Sequence, residues 1–191
     1  MNIVVFDIET KNIFQDVGKN DPALLDISVV GIYESKTDKY NCFLEEEFGQ
    51  MWPIFERADL IVGFNSEHFD MPLINKYYHG DLSKIKHLDI LKEIKNSYGR
   101  RMKLDQIAEG TLSSNKSSHG LQAVTWWKNG EIEKLKKYCV DDVKITKEVF
   151  DYAVKHGKLK FKENGIILDI PLNTSSWLEK KESAVTFSLP F

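Results

Sequence analysis

Two carboxylates lie at the end of the first apolar segment of the chain. The segment Ile3–Thr10 is short and rich in β-branched residues, which is typical of a buried strand, and it contains Asp7 and Glu9. Side chains alternate between the faces of a strand, so Asp7 and Glu9 point to one face and the apolar residues at 4, 6 and 8 point to the other. An acidic strand end that faces solvent is one interpretation of this segment.

A metal site is the other interpretation. Two neighbouring carboxylates repel each other, and burial makes the two charges more costly still. A hard divalent cation such as Mg²⁺ or Mn²⁺ removes both costs, because it binds oxygen ligands. The metal interpretation gains weight if other acidic residues of the chain reach the same place.

A second acidic element follows another buried strand. The strand predicted at 60–64 ends before Asn65, and Asp70 opens a helix predicted at about 70–78, with Pro72 in its first turn. Aspartate is a preferred N-cap residue, so Asp70 has a structural interpretation as well as a functional one. The two roles do not exclude each other.

The third acidic element lies on the longest predicted helix, from residue 131 to about 156. On a helix of 3.6 residues per turn, one apolar stripe is formed by Ile132, Leu135, Cys139, Thr146, Val149 and Phe150. Asp142 falls in the middle of this stripe, and Tyr138 lies one turn before it on the same face. The neighbouring Asp141 is rotated by about 100° and faces away. A carboxylate on a buried face needs a partner, for which a hydrogen-bond network is the alternative to a metal.

The remaining pattern predicts a mixed α/β fold made of strands followed by interleaved helices and strands. Apolar, β-branched segments predict further strands at 27–33, 40–44, 60–64 and 85–90. Helical spacing predicts helices at 48–58, 70–78, 90–95, 103–112 and 121–127, with Pro53 in a first turn. Residues 11–22 and the Ser-rich segment 113–120 are predicted loops, and Asn164-Gly165 predicts a C-terminal β-hairpin. No pattern is clear after residue 173.

The composition is that of one ordinary soluble domain. With 191 residues, 42% of them apolar, the chain is long enough for a sizeable core, and no apolar run approaches the roughly 20 residues of a membrane span. The chain enters its first strand without a sign of secretion, and Cys42 and Cys139 form no disulfide framework, so we expect a reducing cytoplasm. A net charge of −3 argues against a protein that coats nucleic acid, but not against nucleic acid as a substrate.

Together these motifs resemble a known family. The sequences FDIET at 6–10, GFN at 63–65, FDMP at 69–72 and YCVDD at 138–142 are similar, in order and separation, to the DEDD-type 3′–5′ exonucleases of the ribonuclease H-like superfamily. The tyrosine at 138 resembles the DEDDy branch and the proofreading domain of family B DNA polymerases. The other branch has a histidine five residues before the last aspartate, where this chain has Lys137. The resemblance covers about residues 1–156.

The resemblance implies a ribonuclease H-like exonuclease domain at 1–156, with a five-stranded sheet flanked by helices, and a hairpin and tail at 157–191 that belong to the same domain. It implies that four carboxylates hold two divalent metal ions, Mg²⁺ or Mn²⁺, and these are Asp7, Glu9, Asp70 and Asp142. Tyr138 is expected to orient the water that attacks the phosphodiester. The expected substrate is the single-stranded 3′ end of a nucleic acid, DNA more than RNA, and the expected partner is a polymerase or helicase.

Residues near these motifs are candidates for holding the substrate. We expect substrate contacts from Thr10, Phe14, Asn65, Arg101 and Lys103. Phe14 would wedge against a terminal base, and the basic residues at 100, 101 and 103 would meet phosphates. A second basic cluster at 134, 136 and 137 and the pair Trp126-Trp127 have surface or core interpretations beside this one. We interpret His119 as a surface residue and Asp89 as a structural one.

Two other functions stay open at this point. A nucleic-acid-binding module could keep the same fold without turnover, and a structure-specific endonuclease could use the fold for a different cut. The complete set of carboxylates together with Tyr138 favours an enzyme, because a binding module has no need for converging acids.

Overall fold

Along the chain, the strands of a small mixed sheet come before most of the helices. The computed structural model describes residues 1–114 and 120–179. Within them the elements are β1 (Ile3–Thr10), α1 (Phe14–Val17), β2 (Ile27–Glu34), β3 (Lys39–Phe43), α2 (Phe48–Glu56), β4 (Leu60–Gly63), α3 (Asp70–Asn75), β5 (His87–Asp89), α4 (Ile90–Tyr98), α5 (Leu104–Leu112), α6 (Gly120–Lys128), α7 (Ile132–His156), β6 (Lys158–Glu163) and β7 (Ile166–Pro171). His119 and most of the predicted loop at 113–120 lie outside the described residues.

The main sheet has β1 at its centre. Its five strands run in the order β3-β2-β1-β4-β5. The strand β1 is antiparallel to β2 and parallel to β4, and the outer strands β3 and β5 continue these two pairings. The sheet and the hairpin of β6 and β7 confirm the predicted fold class, a five-stranded mixed sheet with a C-terminal β-hairpin.

The alternation of side chains in β1 divides the core into two layers. Val4, Phe6 and Ile8 pack on one face with buried residues of α2 and α3. Val5 belongs to the opposite layer, which contains residues of α5 and α7 and of the hairpin. The helix α7 contacts four of the five strands, so it forms the main cover of this second face. Asp7 and Glu9, which share the phase of Val5, therefore face α7.

The C-terminal hairpin packs on α5. Leu159 and Phe161 of β6 and Ile170 of β7 are buried in the same layer as α7. Gly110 of α5 allows this close approach, because a Cβ at that position would lie 2.4 Å from the Cα of Phe161. Beyond the hairpin the ring of Trp177 stacks on Phe150 with the centroids 6.0 Å apart. The sequence pattern after residue 173 does not predict this contact, because a single tryptophan has no periodicity.

Two local predictions differ from the structure. The predicted loop at 11–22 contains the one-turn helix α1, in which the side chain of Asp16 accepts a hydrogen bond from the backbone of Ile13 at 3.0 Å. Pro53 lies inside α2 and not in its first turn. A proline there leaves the carbonyl of Gly49 without its helical donor, but both residues are exposed, so water can reach that carbonyl.

None of the helices in residues 1–114 and 120–179 combines the length and the apolar character that crossing a membrane requires.

We expect Gly110→Ala to destabilise the protein by about 1–3 kcal/mol, because the added methyl group overlaps the backbone of Phe161. Urea unfolding of the purified variant measures the effect. Gly49→Ala is the matched control, since Gly49 also lies in a helix and a Cβ there meets nothing within 4 Å. The control should be neutral or stabilise by up to about 1 kcal/mol. A Gly110 variant as stable as the wild type would contradict the packing of the hairpin on α5.

Candidate active site

The strand β1 presents the first two carboxylates of the site. Asp7 pairs with Gly31 and Glu9 with Val29 in the ladder with β2, and the register shifts between Glu9 and Thr10. Only 8% of the surface of Glu9 is exposed, because α7 covers this face of the sheet. The helix approaches closely because residue 31 is glycine, where a Cβ would lie 2.9 Å from the Sγ of Cys139.

The helix α7 supplies a third carboxylate and a tyrosine from its buried face. Asp142 and Tyr138 are both buried, whereas Asp141 forms ion pairs with Lys137 at 2.5 Å and Lys144 at 3.4 Å on the solvent side. This agrees with the helix faces predicted from the spacing. The helical register thus sends two adjacent aspartates in different directions, and Asp142 is the one directed at β1.

The three carboxylates converge across the contact between β1 and α7. One oxygen each of Asp7, Glu9 and Asp142 can be chosen so that all three lie within 4.8 Å of one another. Such an arrangement of like charges, two of them on buried residues, is unfavourable unless a cation lies among them. An all-oxygen donor set is the type that Mg²⁺ and Mn²⁺ prefer. These residues therefore fit a divalent metal ion.

Asp70 lies in the same cleft but outside this group of three. It is the first residue of α3, and the N-cap residue is Phe69, whose side chain makes no capping bond, so the N-cap interpretation of Asp70 is wrong. Burial raises the pKa of Asp70 well above its usual value, and the charges of Asp7 and Asp89 raise it further. Hydrogen bonds from the backbone of Asp70 itself and of Ile8 act in the opposite direction. A cation beside this carboxylate would relieve the cost of its charge.

Asp89 fixes the loop that leads to Asp70. Its carboxylate accepts backbone hydrogen bonds from Asn65 at 2.8 Å and from Glu67 at 3.0 Å, and also caps α4 through Leu91 at 2.9 Å. The structural interpretation of Asp89 agrees with these contacts. Asn65 has a positive φ of 65°, and its side-chain oxygen accepts a hydrogen bond from Arg101. The loop between β4 and α3 is therefore held from two sides.

Tyr138 does not line the cleft, and neither do Trp126 and Cys139, which contact the predicted site residues. The indole of Trp126 packs edge-on against the ring of Tyr138 with the centroids 5.6 Å apart. The thiol of Cys139 lies 3.4 Å from the backbone oxygen of Asp7, within hydrogen-bond distance for sulfur. Burial, together with the charges of Glu9 and Asp7, raises the pKa of Tyr138, so its hydroxyl keeps its proton at neutral pH. Helical spacing predicts Cys139 in an apolar stripe, but it gives no signal for the contact of this thiol with Asp7.

Comparison with known proteins decides the family. A family model described as the RNase H superfamily matches residues 4–154. The chain belongs to the RNase H superfamily. Among solved structures it is similar to the family B DNA polymerase from the hyperthermophilic archaeon Pyrobaculum calidifontis, with a TM-score of 0.62 and 18% identity. The match covers 81% of this chain and 24% of the polymerase, so the chain corresponds to about a quarter of that protein. A search of curated proteins finds no match.

Membership of the RNase H superfamily supports a nuclease-type activity and a nucleic acid as substrate. At 18% identity the likeness to the polymerase concerns the fold alone. The acidic cluster of Asp7, Glu9 and Asp142 fits the divalent metals that nucleases of this superfamily use.

The cleft of this RNase H superfamily protein has a volume of about 600 Å³ and an acidic floor. All four predicted carboxylates line it, together with Thr10, Phe14 and Asn65 from the predicted substrate contacts. Its walls are apolar and aromatic, and include Ile13, Phe64, Phe69, Leu121 and Val124. Trp126 and Trp127 do not line it, since Trp126 packs on Tyr138 and Trp127 lies under Lys11. The aromatic surface facing a bound base would come from phenylalanines.

Some cations of the two predicted basic clusters form ion pairs with carboxylates of the protein, and others do not. Lys134, Lys136 and Lys137 each form an ion pair with a carboxylate, which favours the surface interpretation of that cluster. Arg100 pairs with Glu163 at 2.7 Å and lies over the ring of Phe161. Arg101 and Lys103 lie outside the main cleft and line a neighbouring hollow.

We expect Asp70→Asn to stabilise the metal-free protein by about 1 kcal/mol or more, which raises Tm by about 2–4 °C. The substitution keeps the shape of the side chain and removes a charge that burial and Asp7 oppose. Because folding raises the pKa of Asp70, its cost is absent below the unfolded pKa and grows as the pH rises above that value. The difference in Tm, measured in EDTA, should therefore be larger at pH 8 than at pH 5.

Asp141→Asn is the matched control, because its carboxylate is ion-paired on the solvent side of the same site. It should show no stabilisation in EDTA. Added Mn²⁺ should raise Tm more in the wild type than in the Asp70 variant. Loss of stability of the Asp70 variant in EDTA at pH 8 would contradict the account of this buried charge.

Proposed function

We propose that this protein is a metal-dependent 3′–5′ exonuclease that hydrolyses phosphodiester bonds at the single-stranded 3′ ends of nucleic acids. One observation carries the proposal. Carboxylate oxygens of Asp7, Glu9 and Asp142 lie within 4.8 Å of one another, and Asp142 shares the buried face of α7 with Tyr138. Superfamily membership supports the nuclease part of the proposal. Tyr138, together with a lysine at 137 where the other branch has histidine, supports the DEDDy branch.

Four carboxylates would hold the metal ions in this proposal. Asp7, Glu9 and Asp142 offer converging oxygens, and Asp70 adds a buried carboxylate that lines the same cleft. When bound, two divalent ions supply the positive charge that makes a water acidic and offsets the charge developing on the phosphate. The protein's own part is to keep the four carboxylates in place and to limit access of bulk water.

Tyr138 would act on the attacking water as a positioning hydrogen-bond group. Its raised pKa keeps the hydroxyl protonated near neutral pH, so it donates a hydrogen bond and does not act as a base. The edge-on contact with Trp126 holds the ring in one orientation. Tyr138 and Asp142 share one helix face, so the group that orients the water and a metal ligand move as one unit.

The cleft suits unpaired bases better than a duplex. Phe14 and Phe69 meet edge-on with centroids 6.1 Å apart and form an aromatic wall beside the carboxylates. Such rings stack on bases without regard to sequence, but only when the bases are unpaired. Thr10 and Asn65 would contact the terminal nucleotide, and Arg101 and Lys103 would contact phosphates further along the strand. DNA is the favoured substrate, a polymerase or helicase the favoured partner, and the cytoplasm the favoured location.

We expect the protein to shorten a 5′-labelled single strand one nucleotide at a time in Mg²⁺ or Mn²⁺, and to be inactive in excess EDTA. A denaturing gel resolves the ladder of products, with DNA and RNA oligonucleotides run in parallel. A circular strand and a strand with a 3′-phosphate should both resist. Rapid cutting of the circle would assign an endonuclease, and binding without any cutting would assign a silent binding module. Full activity in EDTA would overturn the metal requirement.

We expect three substitutions on α7 to have different effects. Asp142→Asn removes a metal ligand and should nearly abolish turnover. Tyr138→Phe keeps the packing on Trp126 and removes only the hydroxyl, so it should slow the reaction by about 10²–10⁴-fold and leave metal binding in place. Asp141→Asn should be nearly neutral, because that side chain pairs with lysines on the solvent side.

Single-turnover rates and Mn²⁺ titration of the three variants measure these effects separately. The wild type, Asp141→Asn and Tyr138→Phe should bind Mn²⁺ with the same affinity. Of these three, only Tyr138→Phe should have a reduced single-turnover rate. Loss of activity on Asp141→Asn with activity kept on Asp142→Asn would show that the assignment of the two aspartates is reversed.

A further inference from the structure

Three adjoining hollows meet at Asn65. The first is the cleft with the carboxylates, and the second, of about 370 Å³, lies on the side of α4 and includes Lys95 and Arg101. The third, of about 510 Å³, includes Phe64, Arg101 and Lys103. Asn65 lines all three, and Arg101 lines the second and third. The second and third hollows therefore border the cleft at Asn65. We call the second and third hollows together the Asn65 groove.

The cations of the Asn65 groove lack carboxylate partners. Within residues 1–114 and 120–179, no ion pair involves Lys95, Arg101 or Lys103, although many other lysines of the protein are paired. One N–H of Arg101 donates a hydrogen bond to the neutral side chain of Asn65, and the other N–H groups of its guanidinium can donate to a ligand. Three accessible cations along one surface form a local positive potential in a protein of net charge −3.

The acidic residues of the groove do not cancel this potential. Glu67 is matched by Lys92, whose ammonium lies 2.5 Å from its carboxylate. Asp89 is buried and accepts backbone hydrogen bonds from Asn65, Glu67 and Leu91. Both carboxylates therefore have their charge compensated within the protein. The charge that a ligand would meet is that of Lys95, Arg101 and Lys103.

We propose that the Asn65 groove binds the backbone phosphates of the substrate strand on the 5′ side of the bond being cut, with Lys95 as a phosphate contact. The proposal rests on the proposed exonuclease function. When the 3′-terminal nucleotide lies over the carboxylates, the strand continues only in its 5′ direction. The surface that borders the cleft at Asn65 is the cationic one, and unpaired cations are the groups that bind phosphates without reading sequence.

Binding of the strand in the Asn65 groove should make the protein prefer substrates of a certain length. A dinucleotide fills the cleft alone, whereas a longer strand also reaches the groove and gains affinity from its phosphates. Longer single strands should therefore be preferred, and the preference should weaken as salt rises, because each phosphate contact releases counterions. Lys95 contributes to the length preference and not to the chemistry.

Lys95→Gln tests the proposal, with Lys155→Gln as the matched control. Both lysines are exposed and lie in the last turn of a helix, but Lys155 is far from the groove along the chain and lines none of its hollows. The first measurement is the binding of a 5′-fluorescent dT12 by anisotropy in EDTA at several salt concentrations. The slope of log affinity against log salt should decrease in magnitude by about 0.7 in the Lys95 variant and stay at the wild-type value in the control.

The second measurement compares hydrolysis of dT12 with that of the dinucleotide. The ratio of kcat/KM for the two substrates should fall by about 3- to 10-fold in the Lys95 variant. If the Lys95 variant keeps both the wild-type salt dependence of binding and the wild-type ratio of kcat/KM, the strand does not bind in the Asn65 groove. If the wild-type protein cuts neither substrate, the exonuclease proposal fails, and the salt slope alone then decides whether the groove binds a strand.

Discussion

Like charges held together across the contact of β1 with α7 are the constraint on which the site depends. At an effective dielectric constant of 20, two charges 4.8 Å apart repel by about 3 kcal/mol, and here three carboxylates lie that close. The apolar packing of the helix on the sheet holds the three carboxylates at this distance. That packing is close because residue 31 is glycine, so the Sγ of Cys139 can lie only 2.9 Å from the position that a Cβ would take. This contact between β1 and α7 therefore defines the geometry of the carboxylates.

The loop that leads to Asp70 is held in place by hydrogen bonds. This loop joins β4 to α3, and it is held by hydrogen bonds to the buried carboxylate of Asp89 and by the contact of Arg101 with Asn65. Asp89 itself begins α4, so the position of the loop depends on a helix that adjoins the Asn65 groove. The four carboxylates of the proposed metal site therefore lie on a strand, on a long helix and at the start of the helix that follows this tethered loop.

Periodicity made the strand and helix side of the site predictable. The alternation in β1 gave the shared face of Asp7 and Glu9, and the 3.6-residue period of α7 separated Asp142 from Asp141, because both depend only on local geometry. Of the two interpretations of Asp70, the N-cap role is wrong, since α3 begins at Asp70 and its N-cap is Phe69. The contacts of Cys139 with Asp7 and of Trp177 with Phe150 join distant segments, and no local pattern encodes them. The roles of the site residues stay predictions.

The distribution of charge matters more here than its sum. The cluster at 134, 136 and 137 is the most basic run on α7, yet each of its lysines is matched by a carboxylate of the protein and offers little to a phosphate. The groove has fewer cations, but their charge is not compensated internally. Exposed charges act over a Debye length of about 8–10 Å at physiological salt. If the proposed function is correct, a few uncompensated cations beside the cleft would attract the substrate strand to the carboxylates, while a net charge of −3 would weaken its binding to the rest of the surface.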